Sequence, residues 1–361
     1  MKYCIRLVER LDRNGPFLAP PHLLSELDAE YANIRSALAR AISSADAQSA
    51  LHLVAVLADY WWFRSLFAEG RYWATKALSM GESESLRSRA AAARTLGLCL
   101  AELGDVASAR QTYENAVAWY RQTDDAEGLA WSLMELGAVL ITMGSERANM
   151  HLNEAMALFE ARGITQGIAF VYNSLGDLKR AKGKLSDAVS CYEASLANWE
   201  KVSGGSFRPV RVLLNLGIAL IDVRAYERAR KILLEGLENA LRWKRGPSWM
   251  LEGLTGVALA LAHTGEPEKA VLILAAVKRH ATELSLRLAF QSEYHETLAA
   301  LQSRLSSEAF QTAVSKGMAM SVDECVALLD SGGSEKGDAG GSPSPDHRVH
   351  HDDPVPDNTR P

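Results

Sequence analysis

Proline is missing between His22 and Arg208. A run that long without the residue that locks φ and removes a backbone donor, and without Val/Ile/Thr alternation, excludes a sheet-rich domain and predicts helix throughout. Cysteine is scarce and scattered. Cys4, Cys99, Cys191 and Cys325 form no CxxC pair and have no second ligand at zinc spacing, which excludes a disulfide framework or a metal knuckle. Four isolated thiols fit a reducing compartment. Long apolar runs are missing too: Leu51 to Phe63 is interrupted by His52 and Asp59 and falls short of a membrane span. Met1 to Arg13 is dense in charge and lacks the apolar centre of a signal peptide, so a cytoplasmic location is expected. Neither sign of charge dominates, with 39 Lys+Arg against 44 Asp+Glu and a net charge of −5. That balance gives no means of capturing nucleic acid or an anionic membrane, and neither is expected as a direct partner.

Signatures of catalysis are equally absent. No HExxH, GxSxG or GxGxxG occurs. Gly176 to Leu185 comes nearest to a phosphate loop, but six residues separate its glycines instead of four, and Leu185 stands where Ser or Thr should hold magnesium. The chain is therefore expected to be a non-enzyme without cofactor or metal. His22, His52, His151, His263, His280 and His295 are lone residues on predicted helices and read as structural. His347, His350 and His351, with Asp346, Asp352 and Asp353, form a tail cluster that suits adventitious metal binding better than a built site.

What is present is a repeat. Leu96-Gly97, Leu136-Gly137, Leu175-Gly176 and Leu216-Gly217 recur every 39 to 41 residues. Seven residues after the first three glycines comes another, at Gly104, Gly144 and Gly183; the fourth copy has Arg224 there. A fifth, degenerate copy carries Val257-Ala258, then Gly265 as its turn and Pro267 to open the next helix. Apolar residues sit four and one before the glycine and three after it, as in Leu133, Leu136 and Leu140 or Leu213, Leu216 and Leu220, which is one stripe of a helix; the Gly176 copy has Lys179 at the last position. Glycine costs about 1 kcal/mol inside a helix, so it recurs on a buried stripe only where two helices approach too closely for a side chain. The second glycine ends helix A and turns the chain into helix B. Such hairpins cannot bury their own faces and must stack.

The expected fold is all-α, a right-handed α-solenoid of hairpins in units of about 40 residues, curved like a spring with an open concave wall. The Leu-Gly, turn-Gly and downstream Ala109, Ala188 and Ala229 resemble the tetratricopeptide repeat, in a unit longer than that family's usual ~34 residues, with helices of four to five turns. Boundaries are expected at 1–85 for a helical entry segment with a Trp-rich degenerate pair (Trp61, Trp62, Trp73), 86–265 for the array and 266–330 for a helical cap. The remainder, 331–361, should be a disordered tail, since fourteen of its 31 residues are Gly, Pro or Ser and none is aromatic.

Helix A supplies the concave wall, and positions −6, −3, −2, +1 and +4 from each anchor glycine turn away from the buried stripe. They deliver Arg94, Thr95, Trp131, Glu135, Asn173, Ser174, Asp177, Arg180, Arg211 and Asn215. This mixture suits recognition of peptide backbone, carboxylate or sugar hydroxyl; the same residues would serve equally as a solvated face.

Three stretches extend the likeness. Asn33-Ile34-Arg35-Ser36-Ala37-Leu38 ends an entry helix that starts at Leu27. Gly70-Arg71-Tyr72-Trp73 precedes the long repeats. The end runs from Glu308-Ala309-Phe310 through Lys316-Gly317-Met318 to Val326-Ala327-Leu328-Leu329. With these, the chain resembles the helical-repeat region of LuxR- and maltose-regulator-type signal-transducing ATPases over nearly all of its first 330 residues. The resemblance implies a ligand- or protein-sensing part of a bacterial system that regulates transcription, with a protein, peptide or small molecule as ligand. Family members usually carry a nucleotide-binding module before this region and often a helix-turn-helix after it. A separately encoded nucleotide-binding module is then an expected partner. A free-standing scaffold binding peptides or client proteins remains the alternative. In either case the purified chain should not hydrolyse ATP; turnover that survives stringent purification would contradict the non-enzyme reading.

Overall fold

Each anchor glycine sits where a side chain has no room. A Cβ on Gly97 would lie 2.7 Å from the Tyr113 ring, one on Gly137 2.7 Å from Leu152 Cδ2, and one on Gly176 2.5 Å from the Tyr192 ring; Gly217 meets Leu233 in the same way. The partners are buried residues of the following helix, fifteen or sixteen positions on. Helix A and helix B therefore touch backbone to side chain at one fixed point per unit. A second set of glycines joins consecutive units: Gly128 faces the Tyr120 ring and Gly167 the Phe159 ring, each from the helix B before it.

A computed structural model of the chain describes residues 2–12, 21–204, 209–287 and 290–330, and the described residues form eighteen helices and no strand. Five helices precede the array: α1 (Lys2–Asp12), α2 (Pro21–Ser43), α3 (Ala47–Val56), α4 (Ala58–Arg64) and α5 (Phe67–Met80). Five hairpins follow, which are α6 (Leu86–Glu102) with α7 (Val106–Tyr120), α8 (Ala126–Thr142) with α9 (Ala148–Arg162), α10 (Thr165–Ala181) with α11 (Leu185–Ser203), α12 (Val210–Asp222) with α13 (Tyr226–Arg242), and α14 (Pro247–His263) with α15 (Pro267–Glu283). α16 (Gln291–Arg304), α17 (Ser307–Gly317) and α18 (Val322–Asp330) close the C-terminal end. The expected tail and its histidine–aspartate cluster lie outside the described residues.

The turns follow from local chemistry. Gly104, Gly144, Gly183 and Gly265 all adopt positive φ, between 66 and 90°, a region that costs any residue with a Cβ. Arg224 adopts it nonetheless, with φ 62°, because the unit geometry demands a left-handed residue there. Directly after Gly104, Asp105 caps α7 by accepting from the Ser108 N–H at 3.2 Å. Asp125 caps α8 through the Gly128 N–H at 2.8 Å.

One expectation is modified. The array does not spread as an open spring: it curls until its fourth and fifth hairpins meet the entry segment, while the space along its inner wall stays open to solvent. The Gly246 N–H donates to the Phe63 carbonyl at 2.8 Å, and Arg64 donates to the Lys244 carbonyl. The Trp249 indole donates to the Trp62 carbonyl at 3.3 Å, and the two indole rings meet edge to face at 4.4 Å. The Arg245 guanidinium stacks on Phe63, 3.8 Å from the ring centre. Helix-repeat sequence signals report neighbours one unit apart, and this seam joins residues about 180 positions apart. Glycine makes it possible: a Cβ at Gly246 would lie 2.5 Å from the Arg64 carbonyl carbon. The Gly246→Val chain should keep its helix content, unfold at lower temperature and show a larger radius of gyration by small-angle scattering; unchanged dimensions and stability would contradict the closed seam.

Candidate functional site

Closure converts the concave wall into a chamber of about 340 Å³. The inward faces of α6, α8, α10, α12 and α14 line it, and Trp62 from α4 completes the wall. The repeat period explains this lining. Glu135, Asn173, Ser174, Asp177 and Arg211 were expected on the concave wall and all border the chamber, as do residues of the same register with no polar group, such as Leu98, Met134, Ala138 and Phe170. Most are less exposed than a groove surface would leave them. Asn173 is 8% exposed and Ser174 3%, so they belong to the wall and are not free side chains.

The other five expected residues fall elsewhere. Arg94 and Thr95 border a separate groove of about 650 Å³ between α1, α3 and α6, and Thr95 is buried. Trp131 is 1% exposed and packs edge-on against Phe159 and Phe170, with ring centres 4.9 and 5.6 Å away. It is core, because α8 is flanked by helices on every side but one. Arg180 bridges Asp222 at 2.6 Å and Glu293 at 2.5 Å and so ties the array to α16. Asn215 donates to Asn173 Oδ1 at 3.1 Å and Asp177 Oδ1 at 3.2 Å, which holds both wall residues in place.

Charge is concentrated in this wall. Arg211 donates to Glu102 at 3.1 Å, approaches Glu252 at 3.6 Å and stacks 4.8 Å over the Trp249 ring. Arg94 donates to Glu135 at 3.1 Å. The Tyr192 hydroxyl donates to Asp177 at 2.6 Å. Glu252 was not foreseen, although the same register finds it: it lies six residues before Ala258, where the fifth, degenerate copy has lost its glycine. Trp62 and Arg287 also line the chamber and carry no repeat signal, since both lie outside the periodic units; Tyr113 joins them from helix B, sixteen residues after its anchor glycine as Tyr192 is after Gly176.

Residues 88–161 and 167–242 match the tetratricopeptide repeat family. The Arabidopsis thaliana protein kinesin light chain-related 3 is 28% identical over 181 residues, which are 46% of this chain and 26% of that protein. The chain thus spans about a quarter of that relative's length. Among solved structures, NprR in complex with its cognate peptide NprX superposes with a TM-score of 0.55 at 13% identity, covering 81% of this chain and 84% of that one. A Rap protein complexed with competence and sporulation factor gives 0.52 at 14% identity, covering 74% and 77%. The APC/C hetero-tetramer Cut9–Hcn1 gives 0.51 at 18% identity, covering 86% and 51%. These likenesses establish the fold, a tetratricopeptide-like helical solenoid.

Burial shapes the chamber's titration. It pushes the Glu135 carboxyl up to about 7, against the downward pull of Arg94, with Asp59 adding to the rise. It pushes Glu252 up to about 7 as well, opposed by Arg211 and reinforced by Glu102. Asp177 rises to about 6 for the same reason, opposed by the Tyr192 hydroxyl and then Arg211 and Arg180. An acid whose folded value exceeds its unfolded one holds in the fold a proton the open chain has lost. Its contribution is therefore fully present at low pH and is lost as pH rises from the ordinary carboxylate range through about 7. Burial lowers His151 and His263, which act in the opposite sense; a comparison of variants cancels them. Thermal unfolding should show the Glu135→Gln/Glu252→Gln chain gaining on the parent as pH rises from about 5 to about 8; a constant difference would contradict the raised carboxyls.

Proposed function

We propose that the chain is a non-catalytic recognition module whose binding site is the chamber enclosed by its closed ring of hairpins. The observation that carries this reading is the wall itself: charged and amide side chains project into one cavity from five successive hairpins, held by one another and set among apolar neighbours. No fold-stabilising purpose requires four carboxylates in one cavity, since buried charge of this kind costs stability unless it is met. The bound molecule is a peptide, a segment of a protein or a small ligand. NprR and the Rap protein share this fold, and each was solved with a bound partner, the peptide NprX and the competence and sporulation factor, which supports a peptide-sized ligand here.

The module is further proposed to sense on behalf of a bacterial, cytoplasmic signal-transduction system acting on transcription, with a separately encoded nucleotide-binding module as its output partner. The resemblance of Asn33 to Leu38, Gly70 to Trp73 and Glu308 to Leu329 to LuxR-type regulators supports that role. A free-standing scaffold differs in one respect: no nucleotide-binding module would be encoded beside it.

The test uses Ala138, which lines the chamber and is half-buried. Ala138→Trp should fill the cavity. Molecules captured by the full chain from its native lysate and identified by mass spectrometry should be lost from this variant at unchanged helix content; the same set retained by both chains would contradict the chamber as the site.

A further inference from the structure

We infer that the chamber accepts an organic cation, a primary ammonium or guanidinium carried on an apolar stem, and that Glu135 and Glu252 are the groups that receive it. The inference rests on the recognition reading and adds the chemistry of the ligand.

Both carboxylates are more than nine-tenths buried, with exposures of 8% and 4%, and both border the chamber. Each keeps one oxygen, Oε2, without a hydrogen-bond partner. Arg94 serves Glu135 through Oε1 alone. Arg211 stands 3.6 Å from Glu252 Oε2, close enough for attraction and too far for a hydrogen bond, because its other terminal nitrogen is committed to Glu102. A buried acceptor left unmade costs about 1–3 kcal/mol, more when charged. Both oxygens lie just behind the chamber wall, with under 1 Å² of accessible surface each, and mark carboxylates whose charge is incompletely met.

The balance of charge gives the donor's sign. Glu102, Glu135, Asp177 and Glu252 border the chamber against Arg211 and Arg287, and Arg94 stands behind Glu135 in the neighbouring groove. An anion would meet Arg211 already engaged with two carboxylates. A cationic donor reaching either carboxylate from the chamber would offset the excess of acid in a charge-assisted bond, the strongest such contact. Leu98, Met134, Val139 and Phe170 line the same chamber, apolar surface suited to a stem. Aromatic faces at the adjoining seam already carry cations, Arg211 on Trp249 and Arg245 on Phe63. Among the described residues no three metal-ligating side chains converge, so the acids do not form a cage for a bare ion. A chamber of about 340 Å³ lies near the small end of ligand sites and fits a free amine or one basic side chain of a peptide.

Calorimetric titration of the full chain compares pentylamine and agmatine with pentanol, and a capped Ala-Lys-Ala peptide with its lysine-acetylated form. The charged member of each pair should bind and the neutral one should not. Glu135→Gln and Glu252→Gln should each weaken binding about tenfold or more, with unfolding temperatures measured alongside. Binding of the free amines alone assigns a small-molecule source and binding of the peptide alone a protein source; either supports the cation. Equal binding of neutral and charged members, or affinity untouched by both substitutions, overturns it. Ligand capture that is abolished by Ala138→Trp yet indifferent to charge overturns the cation alone, whereas capture unaffected by Ala138→Trp overturns the recognition reading with it.

Discussion

The close approach of helix A to its own helix B in the first four hairpins, at a glycine facing a buried tyrosine or leucine, fixes everything that follows in this molecule. Where Gly97, Gly137, Gly176 and Gly217 meet Tyr113, Leu152, Tyr192 and Leu233, the distance between paired helices is set by an absent side chain. A second glycine contact, Gly128 on Tyr120 and Gly167 on Phe159, sets the spacing between consecutive pairs. Repetition of one local geometry produces a regular curvature, and in this chain the curvature brings the turn after α13 back to the corner after α4. Interior glycine is normally unfavourable in a helix; here it is tolerated because a larger residue would force the partner side chain out of a filled core.

Closure changes what the inner wall can do. An open groove would leave its polar residues hydrated. The ring instead confines them, and the consequence is visible in Glu135 and Glu252, whose carboxyls burial drives to about 7. The arginines that face them relieve only part of that cost: Arg94 reaches one oxygen of Glu135, and Arg211 is divided between Glu102 and Glu252. Arginines also tie distant parts of the ring together, since Arg211 on α12 reaches Glu102 on α6 and Arg180 on α10 reaches Glu293 on α16. Fold and site thus share residues.

Much of this is legible in the residue order, because a period of about 40 residues announces itself wherever glycine must recur. Helix content, hairpin units, the left-handed turns and the register of the inner wall all follow from counting outward from the Leu-Gly pairs, and that count places Asn173, Asp177 and Arg211 on the wall. Two things do not follow. The seam at Gly246 pairs residues with no common period, so its glycine looks like any loop glycine until its contact with Arg64 is seen. Depth is the other: the pattern tells which way Trp131 and Thr95 point relative to the stripe, and says nothing of the neighbouring helices that cover them. Glu252 is an intermediate case, hidden because its unit carries Ala258 in place of the marker glycine.

The glycine contact itself is open to direct measurement by a double-mutant cycle on Gly137 and Leu152, whose side chain is the close neighbour of that glycine and is fully buried. Alanine at a helix interior otherwise stabilises by about 1 kcal/mol over glycine, whereas overpacking costs about 1–3 kcal/mol. Chemical denaturation should show Gly137→Ala destabilising the parent chain and becoming neutral or stabilising once Leu152→Ala has removed the obstruction. An equal effect of Gly137→Ala in both backgrounds would contradict the claim that the missing side chain sets the distance between the helices.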